Sequence, residues 1–267
     1  MLIINNRGLV ALAREQLARD YNCAADNYLA SADTFVEPNL NAGRRKFRPI
    51  PPRFAVSTFG DGAVISAVPE IHADMKSALA DTNGIDIFAP EPFRKIEAVL
   101  SAIGTSLYVN SISYLPDADF SRQRAIDAIE KSAYTVKIYQ RNDIAALYPA
   151  YDKLGFQNAL MSENYRQSGL RSDAICAAAY DEEGEIAGIA GASDDSETFW
   201  QIGIDITSDN RRRGVATALV SLLTEEIFAA GAIPYYSTWS GNLFSQNVAR
   251  RCGFFPAWTE ASTAESE

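Results

Sequence analysis

The sequence predicts an α/β (α+β) protein in two parts: an N-terminal α/β domain over 1–133, and a C-terminal domain over 134–267 with a mixed, mostly antiparallel sheet flanked by helices. Three observations carry this reading. The first part holds a hairpin pattern, Phe54 to Phe59 and Ala63 to Val68 about the turn Gly60-Asp61-Gly62, among helical segments. The second part holds three apolar extended runs in close succession, Ala174 to Tyr180, Glu185 to Ala192 and Thr198 to Ile206. The last run leads into a turn and a long amphipathic helix, followed by another strand and another helix.

In chain order, helical spacing covers Asn6 to Tyr21, a short helical turn covers Asp26 to Ala30, and Thr34 to Glu37 reads as a strand. Arg44, Arg45, Lys46 and Arg48 stand beside Pro49, Pro51 and Pro52 and read as a solvated loop. Pro69 opens a helix over Glu70 to Ala80, at a position where a missing N–H costs nothing, and Pro90 to Pro92 introduces another over Phe93 to Ile103. Gly104 ends it, and Thr105 to Leu115 reads as a strand. No phosphate-binding glycine loop and no nucleophile–base pair occurs in this half. Its expected task is to pack, to dimerise or to cover a substrate, so a homodimer is one open outcome. The boundary falls between Asp117 and Ala133, around the polar stretch Asp119, Ser121, Arg122, Gln123 and Arg124.

Beyond it, Thr135 to Tyr139 is extended, and Asn142 to Leu154 has helical spacing that Pro149 bends or splits. The three apolar runs then form a meander. Alanine and glycine in the middle run signal either weak strand propensity or the close approach of a backbone or ligand.

Composition narrows the function. An apolar fraction of 47% suffices for a core without metals or disulfides. No run reaches the roughly 18 to 20 apolar residues of a membrane span, and the best, Val215 to Ala232, carries Glu225 and Glu226. The N-terminus lacks the marks of a secretory signal, and Cys23, Cys176, Cys252 and the single His72 show no metal-ligand spacing, so a cytoplasmic protein without a metal site is expected. A net charge of −10 disfavours nucleic acid and favours cationic partners such as amines. His72 reads as a surface or capping residue, and Cys176 and Cys252 as core thiols.

The segment richest in chemistry is Thr207 to Val220. Arg211, Gly214 and Ala216 have the spacing Arg-x-x-Gly-x-Ala, which puts small residues where a backbone passes close to a ligand and leaves helix N-terminal N–H groups unpaired. Such an end binds a phosphate anion. Next come the strand Ile233 to Trp239 and a helix from Asn242 that Gly253 terminates.

Over Thr135 to Thr259, and most specifically over Gln201 to Phe255, this succession resembles the GNAT superfamily of acyl-CoA N-acyltransferases. Ile204 to Ala216 is similar to its strand-turn-helix signature, and Asn242-x-x-Ser245 leading to Arg251-x-Gly253-Phe254 to its second signature. The whole layout also resembles a bacterial branch with an α/β half ahead of the GNAT half, a branch that implies fold and cofactor but no acceptor.

The resemblance implies acetyl-CoA as co-substrate and a primary amine of a small molecule or peptide as acceptor, joined by direct attack. It implies that the strand before the motif splays from the next parallel strand and takes the pantetheine arm into the gap. Backbone groups near Ile204 and Ile206 would bond the pantetheine. Arg211 and the N–H groups of Arg212, Arg213, Gly214, Val215, Ala216 and Thr217 would hold the pyrophosphate, with Asn242 and Ser245 near the thioester. The family's usual tyrosine acid is absent, its place falling in Val248-Ala249-Arg250. Tyr235, Tyr236 and Ser245 are candidates to replace it, against the reading of both tyrosines as sheet residues, one packed inward and one outward. Asp205, on the strand face opposite Ile204 and Ile206, is the first candidate base, and Glu197 the second, against its reading as a solvated loop carboxylate. The alternatives are a non-catalytic acyl-CoA sensor and an acetyltransferase of protein lysines or N-termini. The order of elements in the first half also raises a degenerate duplication of the same fold.

Overall fold

A computed structural model describes residues 5–47, 49–117, 127 and 134–263, so Arg48 and the polar stretch Asp119 to Arg124 lie outside the described residues. The chain divides into two units that are not consecutive segments, in contrast to the linear division at residue 133. The first comprises Met1–Ser113, Thr238–Gly241 and Pro256–Glu267, and the second Tyr114–Ser237 and Asn242–Phe255.

In the first unit, helix α1 (Asn6–Tyr21) starts where the Asn5 side chain accepts the Gly8 N–H at 2.9 Å and stops at Asn22, whose left-handed φ of 57° turns the chain out of the helix. Strands β1 (Thr34–Val36), β2 (Phe54–Thr58) and β3 (Ala63–Ala67) precede helices α2 (Pro69–Ala78) and α3 (Pro90–Ser101), each with proline in its first turn, and strand β4 (Leu107–Pro116). Every residue of β2 and β3 is buried, which explains their apolar continuity where a half-exposed strand would alternate. Phe54, Val56, Ile65, Ile71, Met75 and Ile96 form the core between this hairpin and the two helices. β1 runs parallel to β3 in one continuous register, Thr34↔Val64 to Val36↔Ser66.

The unexpected member of this sheet is β10 (Phe254–Thr263), at the far end of the chain. Its Thr259–Ser262 pairs antiparallel with Ala55–Thr58 of β2. At Arg45 it also corrects the reading of the basic run as a solvated loop. Arg45 is 5% exposed. Its Nε donates to Asp20, its Nη2 donates to Glu260 Oε1 at 2.8 Å, and its guanidinium lies over the Trp258 ring at 5.7 Å.

The second unit holds β5 (Thr135–Gln140), a 3-10 turn (Ile144–Leu147), α4 (Tyr148–Lys153), α5 (Glu163–Ser168), β6 (Asp173–Tyr180), β7 (Ile186–Ser193), β8 (Phe199–Ile206), α6 (Val215–Ala229), most of β9 (Ile233–Trp239) and α7 (Leu243–Arg251). The split of 144–153 falls at Pro149, as expected, whereas α5 was not anticipated. The sheet order is β9-β8-β7-β6-β5, antiparallel except for the parallel pair β8–β9. The predicted mixed, mostly antiparallel sheet is therefore present. α6 packs on β6, β7 and β8, while Ile144, Leu147, Tyr151 and Leu160 cluster with Cys176, Ala178 and Ile189.

The glycines of the meander mark a close approach of backbone. A Cβ added at Gly191 would run into the carbonyl oxygen of Ala159, and one at Gly203 into that of Asn158, because the connection after α4 crosses the sheet there. Gly203→Ala is expected to cost about 1–3 kcal/mol, since backbone rather than a flexible side-chain end must move. A urea titration of the variant should show the lower midpoint, and an unchanged midpoint would mean that the segment shifts freely. Among the described residues no helix is long and apolar enough to cross a membrane, and no group of three or more His, Cys, Asp or Glu could hold a metal ion.

Candidate active site

β8 and β9 are paired in parallel only over Phe199↔Ile233 to Ile202↔Tyr236. β8 then continues to Ile206, so Gly203–Ile206 extend past the last registered pair. The Ile233 N–H donates to the Thr198 carbonyl at 2.7 Å, which sets even-numbered residues of β8 with their backbone groups towards β9. On the other edge the Thr207 N–H donates to the Ala187 carbonyl at 3.0 Å, in keeping with odd-numbered residues facing β7. The N–H and C=O groups of Ile204 and Ile206 therefore face the gap where the parallel pair opens.

The gap leads to a turn and a helix end. Thr207 and Asn210 brace the turn, the Asn210 side chain donating to Thr207 Oγ1 at 2.9 Å and accepting from the Tyr134 hydroxyl at 2.6 Å. Arg211, Arg212, Arg213 and Gly214 are exposed. Arg212 and Gly214 both take left-handed backbone angles, φ 62° and 86°; glycine does so freely, while arginine bears a strain of about 1–2 kcal/mol. No side chain caps α6. The first intrahelical bond runs from Ala218 N–H to Gly214 C=O, so the amides of Val215, Ala216 and Thr217 have no partner within the helix. An uncapped positive helix end behind three arginines suits a polyanion.

At the closed end of the gap the predicted residues Tyr236, Ser245 and Asn242 come together. The Tyr236 hydroxyl lies 2.7 Å from Ser245 Oγ, and Asn242 caps α7 by accepting the Ser245 N–H at 3.1 Å. Tyr236 is 2% exposed. Burial pushes its phenol up to about 12; the Ser245 hydrogen bond eases the rise, and Cys252 and the Asp205 carboxylate add to it. It therefore keeps its proton throughout the neutral range.

Tyr235 is buried as well, which corrects the expectation of one tyrosine inward and one outward. Both faces of the strand are covered, and the Tyr235 hydroxyl donates to Asp195 Oδ2 at 2.5 Å. Asp195 in turn pairs with Arg171 at 2.5 Å and accepts from Ser193 at 2.7 Å, a closed polar network. Glu197 is exposed in the loop before β8, at the end of the strand remote from Ile204 and Ile206. His72 is half-buried in α2 beside Phe35, four residues into the helix and not at a cap.

Asp205 has a different setting from that of a poised base. Its carboxylate accepts from the Tyr151 hydroxyl, the Asn158 side-chain amide and the N–H groups of Gln157, Asn158 and Ala159. Four of these five donors converge on Oδ2, and the Asn158 side-chain amide reaches Oδ1. Oδ2 is fully engaged, and the geometry makes Asp205 an anchor for the connection Gln157–Ala159. Sequence reasoning did not single out Asp173, which holds Met161 N–H at 3.0 Å and the Tyr148 hydroxyl at 3.0 Å, and whose carboxyl burial pushes up. Its one signal is an acidic residue at the head of the apolar run Ala174 to Tyr180.

Residues 137–254 match the acetyltransferase (GNAT) family. Residues 137–254 are a GNAT-family domain. The match ends at Phe254, where the second unit gives way within two residues to the C-terminal strand of the first. No curated protein sequence matches the chain. Among solved structures, similar folds include a GNAT-family acetyltransferase from Novosphingobium aromaticivorans, at 15% identity over 61% of this chain and 69% of that one, TM-score 0.44. A GCN5-related N-acetyltransferase-like protein from Streptococcus suis aligns at 18% identity over 63% and 66%, TM-score 0.44. A tandem GNAT protein of the clavulanic acid biosynthesis pathway aligns at 15% over 64% and 59%, TM-score 0.45. This chain thus spans less than two thirds of the length of the last two. Within the GNAT domain, the open strand pair and the uncapped helix both fall inside the matched residues.

Proposed function

We propose that the protein transfers an acetyl group from acetyl-CoA to a primary amine of a small molecule or peptide. The observation that carries this reading is the parallel pair β8–β9, which ends at Ile202↔Tyr236 and leaves Ile204 and Ile206 facing a gap that leads to the uncapped end of α6. The chain's own groups fit the co-substrate. Ile204 and Ile206 offer an amide and a carbonyl each to the pantetheine, and the amides of Val215, Ala216 and Thr217, with Arg211 to Arg213, offer donors to the pyrophosphate. Acetyl-CoA supplies the acetyl group as a thioester, whose C–S bond breaks as the C–N bond to the amine forms, leaving CoA thiol and an amide.

In this reading the buried Tyr236–Ser245 pair delivers the proton that the leaving sulfur needs. No side chain is assigned to deprotonate the acceptor, because the donors around Asp205 hold both of its oxygens. The amine then reacts as its neutral fraction, and kcat/KM should rise with pH along the acceptor's own ionisation. With Tyr236 raised to about 12, no falling limb from this acid is expected below about pH 11. A cytoplasmic site of action fits three cysteines that form no disulfide.

The test is thiol release from acetyl-CoA with putrescine, tyramine, a free amino acid and an N-terminal peptide, run with wild type and Tyr236→Phe. Transfer to one of these amines, with kcat reduced about 10- to 100-fold in the variant, supports the reading; this lies at or below the lower bound of about 100-fold typical for a general acid, as Ser245 and water remain. Tight binding of acetyl-CoA without transfer to any amine would select the sensor, the alternative that the missing tyrosine at Val248 to Arg250 keeps in play.

A further inference from the structure

Five consecutive backbone N–H groups, from Gln157 to Met161, find their acceptors in side chains rather than in a helix or a strand. Those of Gln157, Asn158 and Ala159 converge on Asp205 Oδ2 at 3.2, 2.7 and 2.7 Å. The Leu160 N–H donates to the Tyr151 hydroxyl at 3.1 Å, and the Met161 N–H to Asp173 at 3.0 Å. Asn158 Nδ2 donates to the remaining oxygen, Asp205 Oδ1, at 2.7 Å. Successive amides turned to one side make a concavity that binds an anion. Here the anion is a side chain of β8 itself, between the two residues whose backbones face the open gap.

The clamp also has a side. Ile202 is registered opposite Tyr236, so the two side chains share one face of the sheet, and Asp205, three residues on, projects from the other. The Tyr236–Ser245 pair therefore approaches the closed end of the gap from one face, and the segment Gln157–Ala159 covers the opposite face at Gly203, the first residue beyond the last registered pair. An acid that protonates the leaving sulfur stands on the sulfur's side, which leaves the face under Gln157–Ala159 for the arriving amine. Gln157 and Asn158 are exposed there, whereas Ala159 and Leu160 are buried beneath them.

We propose that Asp205 is a positioning residue, which fixes Gln157–Ala159 as a rigid wall at the closed end of the gap so that the exposed side chain of Gln157 selects the acceptor amine. This rests on the acetyl-transfer reading above. It accounts for the donors gathered on the carboxylate, and it separates a wall held at fixed distance from a lid that opens and closes. Preorganisation of this kind acts on acceptor placement and leaves the co-substrate's contacts alone.

The experiment compares wild type, Asp205→Asn, the double variant Asp205→Asn/Asn158→Asp, and Gln157→Ala. In Asp205→Asn one oxygen still accepts the three amides, but the new NH2 meets Asn158 Nδ2, donor against donor; adding Asn158→Asp restores a donor–acceptor pair at the same net charge as the wild type. Steady-state kinetics on putrescine, tyramine, a free amino acid and a peptide are read beside hydrogen–deuterium exchange of amides 157–161. The expected result for Asp205→Asn is a fall in acceptor kcat/KM of about 10- to 100-fold, mainly through KM, with the KM for acetyl-CoA and the pH profile unmoved. Protection of amides 157–159 drops with it, and both recover in the double variant. Gln157→Ala, which keeps the clamp, changes the ranking of the amines without changing exchange.

A loss of kcat alone with a displaced pH profile would make Asp205 the base and overturn the proposal. So would a double variant that recovers neither quantity, or a ranking of amines indifferent to Gln157→Ala. Failure of the transfer reading is a separate result: wild type then acetylates none of the amines, and the acceptor role falls with it.

Discussion

Gly214→Glu is expected to abolish most of the affinity for acetyl-CoA. Gly214 stands at the N-cap of α6, exposed, with nothing within 4 Å of an added Cβ, so a longer side chain has room and acts through charge. A carboxylate about 5 Å from a phosphate opposes it by about 3 kcal/mol at the effective dielectric of a protein surface, roughly a hundredfold in affinity at low salt. Screening should reduce the penalty as ionic strength rises. The φ of 86° adds a cost for any residue with a Cβ, and Gly214→Asn controls for it, since asparagine tolerates left-handed angles without bringing a charge. Calorimetric titration of the three proteins separates the effects. Equal affinity in wild type and Gly214→Glu would remove this helix end from the site, whereas loss in both variants would assign the defect to backbone geometry.

Arg45→Ala is expected to lower stability by about 3–5 kcal/mol, the cost of breaking a buried ion pair by removing one partner. The Arg45 side chain is 4% exposed and is held by Asp20 and Glu260, whose side chains are 11% and 16% exposed, so its removal leaves two nearly buried carboxylates facing each other. Trp258 adds to this group, donating from its indole to Glu260 Oε2 at 2.7 Å and lying under the guanidinium. The triple variant Asp20→Asn/Arg45→Met/Glu260→Gln should regain much of the loss, because neutral residues do not carry the charge-burial penalty. Thermal melting of the two variants decides. A melting temperature unchanged by Arg45→Ala would show that water reaches and screens the carboxylates.

The two substitutions act on features of very different legibility. The Gly214 turn was readable because its information is local: an apolar strand, a basic turn with a small-residue spacing, and a helical period follow one another within about twenty residues. The alternation of β8 was local too, and it correctly set Ile204 and Ile206 on one side and Asp205 on the other. Arg45 could not be read in the same way. A run of Arg, Lys and Pro has the composition of a solvated loop, and the partner that buries it lies 215 positions away. Likewise Asp205 carries the residue type and strand position of a base, and only the return of a segment 46 to 48 positions earlier showed its Oδ2 occupied.

By itself the sequence determined the order of elements, the mixed sheet of the second part, the signature turn with its open helix end, and the presence of Tyr236, Ser245 and Asn242 near one another in the chain. Periodicity and turn chemistry encode such features because each depends on neighbours within a few residues. Tertiary structure alone decided that β10 returns to β2, that Tyr235 and Tyr236 are both covered, and that Asp205 anchors Gln157–Ala159. Those outcomes depend on which distant backbone crosses a given face of the sheet, and that choice follows from the burial of the whole chain rather than from the pattern of any one segment.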